Sequence, residues 1–393
     1  MLIYIFWILI GIVLYTYLGY TLLLIILNLI KKLLYHEKIK AFQSSDYPKI
    51  TLLIAAYNEI DIVGQKMQNS LALHYPLDKL KIIWITDGSN DGTQQELAKY
   101  PKIQILHRPG REGKTAALNR AMKYIDTPWV VFCDANSMLA SDSLNQLVHY
   151  FNDERVGCVA GAKHIANNFS DFAPGAGEGA YWKYESFIKK LESDFYTTLG
   201  AAGELYAIRT ELYEDIDPDI IIDDFANSLQ IASKGKLIKY AQKAYAIEAP
   251  SFDIKEELKR KIRIATGGFQ ILLRMPSMLN IFKHGFISFE YLSHKVLRWT
   301  IVPWAIPSLF VINFFICGSE LWKSITYNSV LGIQLVFYFV VLAGALLEKY
   351  STRYKFFFIP YYLVIMNYAQ MAGLFRFLGG KHTVVWEKAR RSN

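Results

Sequence analysis

The sequence predicts an α/β domain with a mostly parallel sheet, held at a bilayer by apolar segments before and after it. Three observations predict this. Short apolar runs recur between Lys49 and about Ile271, each closing on a polar or turn residue and separated by helical stretches. A charge-free run precedes this block, and apolar and amphipathic stretches follow it.

The totals agree. With 393 residues the chain has room for one large domain plus membrane helices. Its 52% apolar fraction is high because apolar residues crowd the two ends. The net charge of +8 does not call for nucleic acid, since no Lys/Arg run interleaved with aromatics marks a groove for one. Much of the excess flanks apolar spans, where cytoplasmic ends are basic. Cys133, Cys158 and Cys317 form neither a CxxC pair nor a metal-ligand spacing, so the block is expected to face a reducing cytoplasm.

Residues 2–30 contain no charged side chain and end at Lys31 and Lys32. That run crosses a hydrocarbon core of about 30 Å with length to spare. It lacks the basic start, short apolar run and cleavage site of a signal peptide, so residues 1–32 read as a retained anchor. Lys31, Lys32, His36, Lys38 and Lys40 then place the following block on the cytoplasmic side.

Inside the block (48–271), LLIAAY (52–57), KIIWIT (81–86), IQIL (103–106) and WVVFCD (129–134) are continuous apolar strands. GKTAALNRAMKYI (113–125) has a helical pattern. Such alternation argues a parallel sheet covered on both faces. Ligands of these sheets collect beyond the carboxyl ends of the strands, where Tyr57, Asn58, Glu59, Asp87 and Asp134 fall. Two phosphate motifs are rejected. GREGKT (110–115) needs a Gly where Arg108 stands to be a P-loop, and GAGEGA (175–180) lacks the dinucleotide spacing.

After Ile271, residues 274–298 mix apolar and basic side chains and are broken by Pro276 and Gly285, which suits short helices in the interface plane. Residues 299–378 hold spans at Ile301–Cys317 and Ser329–Leu347, then a return marked by Glu348, Lys349, Arg353 and Lys355. A third stretch, Phe356–Phe375, precedes a basic tail (379–393) with Lys381, Lys388, Arg390 and Arg391. Either this stretch crosses and breaks the charge rule, or it re-enters, bent at Pro360.

The strand-end residues suit transfer of a sugar from a nucleotide donor. That chemistry needs a divalent cation against the diphosphate, a base for the acceptor hydroxyl and a hold on the nucleoside. Asp134 and Asn136 offer oxygen ligands of the kind Mg2+ or Mn2+ takes, though a D-x-N is also an ordinary turn. Lys114, at a helix start, and Arg111 suit phosphate oxygens, or equally a solvated basic face. Asp223 and Asp224 read as helix caps or as a carboxylate pair, one member of which is poised as a base.

The order of these pieces is more specific than any one of them. Strand-YNE, strand-DGSNDGT, a GKTAALN helix, strand-DAN, GELYAIR (203–209) and IDDFANSLQI (222–231) together resemble the family 2 glycosyltransferases. The nearest branch is the membrane-bound one of cellulose, hyaluronan and poly-N-acetylglucosamine synthases. The resemblance covers about residues 48–271. It implies a GT-A fold (Rossmann-like), an inverting mechanism, and a nucleoside-diphosphate sugar donor, usually UDP-linked. By position, Tyr57 and Glu59 are expected to hold the nucleobase, Asp87 the uridine near the metal, and Lys114 and Arg263 the diphosphate. Asp134 and Asn136 stand at the D-x-D metal motif, Asp224 at the catalytic base, and Gly203, Glu204 and Asp223 at the acceptor site.

Two departures stand out. Asn136 replaces the second Asp of D-x-D. The Q-x-x-R-W of the polymer-making enzymes is reduced to Arg263 within Arg260-Lys261-Ile262-Arg263-Ile264. The expectation is therefore an inverting transferase in the inner (plasma) membrane, multi-pass, acting on a lipid-linked or saccharide acceptor. The alternatives are a processive β-glycan synthase that exports its polymer and a non-catalytic sugar-nucleotide-binding subunit.

Overall fold

The computed structural model describes residues 1–34, 47–166, 173–319, 324–347 and 355–380. His36, Lys38, Lys40, Glu348, Lys349, Arg353 and the basic tail residues Lys381, Lys388, Arg390 and Arg391 lie outside the described residues.

The helix α1 (Leu2–Leu34) is continuous, with one π-helical turn at Tyr15–Gly19. The block then alternates: β1 (Ile50–Ala56), α2 (Ile60–Leu71), β2 (Leu80–Asp87), α3 (Thr93–Leu97), β3 (Gln104–Arg108), α4 (Lys114–Met122) and β4 (Trp129–Asp134). Next come β5 (Met138–Leu139), α5 (Ser143–Val148), β6 (Val156–Ile165), α6 (Ala173–Phe195), β7 (Tyr206–Arg209), α7 (Asp223–Ser233) and β8 (Leu237–Glu248). The GAGEGA run lies within α6.

These strands form one sheet, ordered β3-β2-β1-β4-β7-β6-β8-β5. The half from β3 to β4 is wholly parallel. Every residue of β1 is buried, which is why its sequence is apolar without alternation. The other half is mixed: β7 runs antiparallel to β4 and β6, β8 parallel to β6, and β5 antiparallel to β8. Alternate strand residues feed two cores. Leu53, Ile83, Ile85, Val130 and Phe132 face α4 and α7, whereas Leu52, Ile54, Trp84 and Val131 face α2 and α5.

Residue 271 falls inside a helix, α8 (Ile254–Arg274), which Asp253 caps by accepting from the N–H of Glu256. Short helical pieces follow, interrupted at Pro276 and Gly285, and lead into α9 (Phe286–Thr300). Met278, Ile287 and Tyr291 join the core on the α7 face, so this stretch is part of the block's packing. Then come α10 (Val302–Cys317), α11 (Ile325–Leu346) and α12 (Lys355–Leu378).

Among the described residues, α1 and α11 are long and apolar enough to cross a bilayer. α10 has 16 residues and is short for a crossing by itself. It follows α9 at a 54° bend, and the two together make a third candidate span. The last apolar stretch is one helix that continues through Pro360. It packs along α8, with Gly373 against Ala265. The C-terminal apolar helices and the α/β block are thereby tied together.

Candidate active site

Register places the strand ends together. Asp134 of β4 lies opposite Ala55 of β1, and Thr86 of β2 opposite Ala56. The YNE turn therefore sits between Asp87 and Asp134. It is clamped to the DGSNDGT loop: the N–H of Asn58 (φ 53°) donates to Ser89, the Asn58 side chain exchanges hydrogen bonds with Asn90, and the N–H groups of Glu59 and Ile60 donate to Thr93 and Asp91. The two motifs form one hydrogen-bonded unit.

Buried Asp87 has a role the sequence did not disclose. Its carboxylate accepts from the backbone N–H of Glu112, at 3.1 Å to each oxygen, and from that of Gly113 at 2.7 Å. It thus fixes the loop that opens α4 and aims Lys114. Gly88 permits the approach, since a Cβ there would meet the Cβ of Arg111 at 2.9 Å. Arg111 in turn stacks on the Tyr57 ring, 3.7 Å from its centroid.

From the start of α4, Lys114 donates to Oδ1 of Asp134 at 2.7 Å and lies 3.8 Å from Oδ2 of Asp223. Gly203 sits at the point where these groups meet. A Cβ on it would lie 3.0 Å from the Lys114 ammonium, 3.5 Å from Oδ2 of Asp224 and 3.6 Å from Oδ2 of Asp134. Residues separated by up to 110 positions in the chain thus bracket one space. Arg263 reaches it from α8, donating to the carbonyl of Ile221 at 3.2 Å beside the Asp223–Asp224 turn.

The charges perturb one another. Burial works against the Lys114 ammonium, but Asp134, Asp223 and Asp224 outweigh it and hold its pKa above the ordinary lysine value. Burial raises Asp134 even though Lys114 opposes the shift. Burial and the neighbouring Asp223 push Asp224 up to about 7. Burial lowers Arg263. One Asp223 oxygen is buried with no hydrogen-bond partner among the described residues.

Glu204 is held from beneath. Lys163, fully buried in β6, bridges Glu204 and Glu248 at 2.8 Å each, and Ser137 donates to Glu248. Burial would raise Glu204, but Lys163 prevails and keeps it below the ordinary range. Buried Lys66 of α2 donates to Sγ of Cys133 and to the carbonyl of Ser137, under the DAN turn. A lone lysine in the apolar run of β6 was the available sign of Lys163; Lys66 left none.

A cavity of about 610 Å³ joins these groups. Glu59, Lys114, Asp134, Asn136, Gly203 and Glu204 line it, as do Asp223, Asp224 and Arg263. Tyr57, Asp87 and Arg111 stand outside the lining, on the loops that support it. The cavity also meets residues the sequence reading missed. Trp299 of α9 lines it, edge-on to Phe225 at 5.5 Å and close over Gly268, so a tryptophan borders the Asp224 turn from another helix.

Asp134 and Asn136 bring a carboxylate and an amide oxygen to the cavity, hard donors that suit Mg2+ or Mn2+. No three His, Cys, Asp or Glu side chains among the described residues converge to hold a metal alone. The pair therefore fits a cation whose remaining ligands are phosphate oxygens and water.

Residues 51–217 match the family model described as glycosyl transferase family 2. Poly-beta-1,6-N-acetyl-D-glucosamine synthase of Staphylococcus aureus (strain MSSA476) is 29% identical over 236 residues, 57% of this chain and 56% of that protein. The Staphylococcus epidermidis synthase is 27% identical over 235 residues, with the same coverage of each. The chain spans about half the length of the curated relatives it matches. The mannosyltransferase PcManGT from Pyrobaculum calidifontis, solved in complex with GDP-Man and Mn2+, shares the fold. It superposes with a TM-score of 0.69 at 21% identity, over 96% of this chain and 100% of that one.

Proposed function

With a family 2 glycosyltransferase domain of GT-A fold at residues 51–217 as the premise, we propose that the chain is an inverting membrane glycosyltransferase. It takes a nucleoside-diphosphate sugar and forms a β-glycosidic bond on a lipid-linked or saccharide acceptor. The observation that carries this reading is the convergence of Lys114, Asp134 and Asp224 on Gly203 within one cavity.

In this reading Asp224 accepts the proton of the acceptor hydroxyl, whose oxygen bonds to the anomeric carbon as the bond to the diphosphate breaks. A carboxylate pushed up to about 7 suits that task near neutral pH. Lys114 and Arg263 face the departing diphosphate, and Arg111 with Tyr57 and Glu59 holds the nucleoside end. Asp87 acts by fixing the loop that presents Lys114. Gly203, Glu204 and Asp223 shape the acceptor side. A divalent cation held by Asp134 and Asn136 would neutralise charge on the leaving diphosphate. Lys31 and Lys32 at the end of α1 favour a cytoplasmic catalytic domain, and the further apolar helices support a multi-pass protein of the inner membrane.

The family resemblance of the strand-end motifs implies a UDP-linked donor, and the archaeal neighbour's GDP-Man supports testing GDP-linked donors beside it. Likeness to the poly-N-acetylglucosamine synthases favours a second reading, processive polymerisation. Purified protein incubated with Mn2+ and a panel of nucleotide sugars should release nucleoside diphosphate from one of them. Sizing of the labelled product then separates single transfer from polymer. Absence of turnover with every donor and acceptor would overturn both.

A further inference from the structure

The cavity does not end at the sheet. It extends between the membrane-side helices, lined by Tyr17 of α1, Trp182 and Glu185 of α6, Arg298 of α9 and Gln370 of α12. Glu185 is the one carboxylate lining the cavity from α6 or α9, against Lys189, Lys295 and Arg298. Arg298 donates to Glu185 at 3.1 Å through Nη1. Its Nε and Nη2, and the indole Nε1 of Trp182, are buried with no hydrogen-bond partner among the described residues. Unpartnered buried donors are rare because they forfeit hydration without recompense. Several unpartnered donors, and more cations than carboxylates among the residues these two helices turn to the cavity, mark a place for an anion, since Glu192 and Glu290 of the same helices lie outside its lining.

The facing wall has the opposite character. The first half of α12 presents Ile359, Leu363 and Met366 to the same cavity, with Asn367, Gln370 and Arg376 lining it further along, and Ile359 is also exposed on that helix. An anionic group beside an apolar, outward-opening wall suits an amphiphile.

We propose that the membrane end of the cavity is an anion subsite for the phosphate or diphosphate of a lipid-linked acceptor, with Arg298 and Trp182 as donors and α12 against the hydrocarbon. This rests on the transferase reading above and narrows its acceptor. Because Asp224 serves a hydroxyl, the phosphate is a handle and the reacting group is a hydroxyl of the saccharide it carries.

The test is binding of a fluorescent polyprenyl diphosphate, the matching polyprenol and inorganic diphosphate to the full chain in phosphatidylcholine nanodiscs. The lipid diphosphate should bind about tenfold or more tightly than either of the others, as expected for a charge-assisted contact. Arg298→Gln should erase its advantage over the polyprenol. Trp182→Phe, which leaves the Glu185 ion pairs intact, should reduce it about threefold and guards against misfolding of the first variant. Equal binding of lipid diphosphate and polyprenol overturns the anion subsite. So does an advantage unchanged in Trp182→Phe and in a folded Arg298→Gln. Equal binding of inorganic diphosphate overturns the lipid assignment. Since no sugar donor is present, failure of this preference and failure of sugar transfer are separate results.

Discussion

The Lys114 ammonium donates to Oδ1 of Asp134 at 2.7 Å, joining the start of α4 to the end of β4 at the mouth of the cavity. Donor phosphates and a cation placed there must share these two groups. Asp134→Ala should therefore raise the donor KM by about tenfold or more and abolish saturation by Mn2+. Steady-state kinetics across Mn2+ concentrations checks this, and an unchanged metal dependence removes Asp134 from the cation site.

Gly203 tests the convergence itself. Its missing side chain leaves space that a Cβ would occupy 3.0 Å from the flexible end of Lys114. Gly203→Ala should fold normally, because a lysine tip gives way. It should still lose about tenfold or more in kcat/KM, since small displacements of charged groups are costly in catalysis. Thermal unfolding alongside kinetics separates the two effects.

Lys163 is different, because its effect is on folding. With its side chain fully buried between Glu204 and Glu248, Lys163→Met would leave two carboxylates without their ammonium. Loss of one partner from a buried ion pair costs about 3–5 kcal/mol. Chemical denaturation of the purified variant should show a loss of that size, with activity falling in parallel as the acceptor wall gives way.

Asp224 links activity to stability. Its folded pKa of about 7 lies above the ordinary 3.8. A carboxyl raised in this way favours the fold while protonated, and that contribution is lost as pH rises from the unfolded value through about 7. Wild type should therefore be less stable at pH 8 than Asp224→Asn, whose melting temperature should be higher by about 2–8 °C. The gap should close toward pH 4. Turnover has the opposite trend in wild type, rising through neutrality as the base ionises.

Most of the parallel half of the sheet was legible because β1, β2 and β4 are covered on both faces and continuously apolar, while the edge strand β3 is only half-buried. The second half was not, because β7 has only four residues and β8 is half exposed in its middle. Strand-end residues such as Asp134 were legible from their place beyond an apolar run. The use of Asp87 as a backbone acceptor was not, since it depends on a loop 25 residues away. Trp182 lies in α6, a helix within the block that no apolar period announced, and Arg298 and Trp299 were hidden for another reason. Apolar and amphipathic composition marks a helix as lying at the membrane, but it does not say which face meets the catalytic cavity.

The most direct test compares wild type and Asp224→Asn for binding and consumption of the donor identified from the nucleotide-sugar panel, with Mn2+ and acceptor present. The variant should bind donor with the same Kd and transfer the sugar at least about 100-fold more slowly, leaving only background turnover. Equal transfer rates in the two proteins would contradict the assignment of Asp224 as the base and, with it, the reading of the Gly203 cleft as the reaction centre.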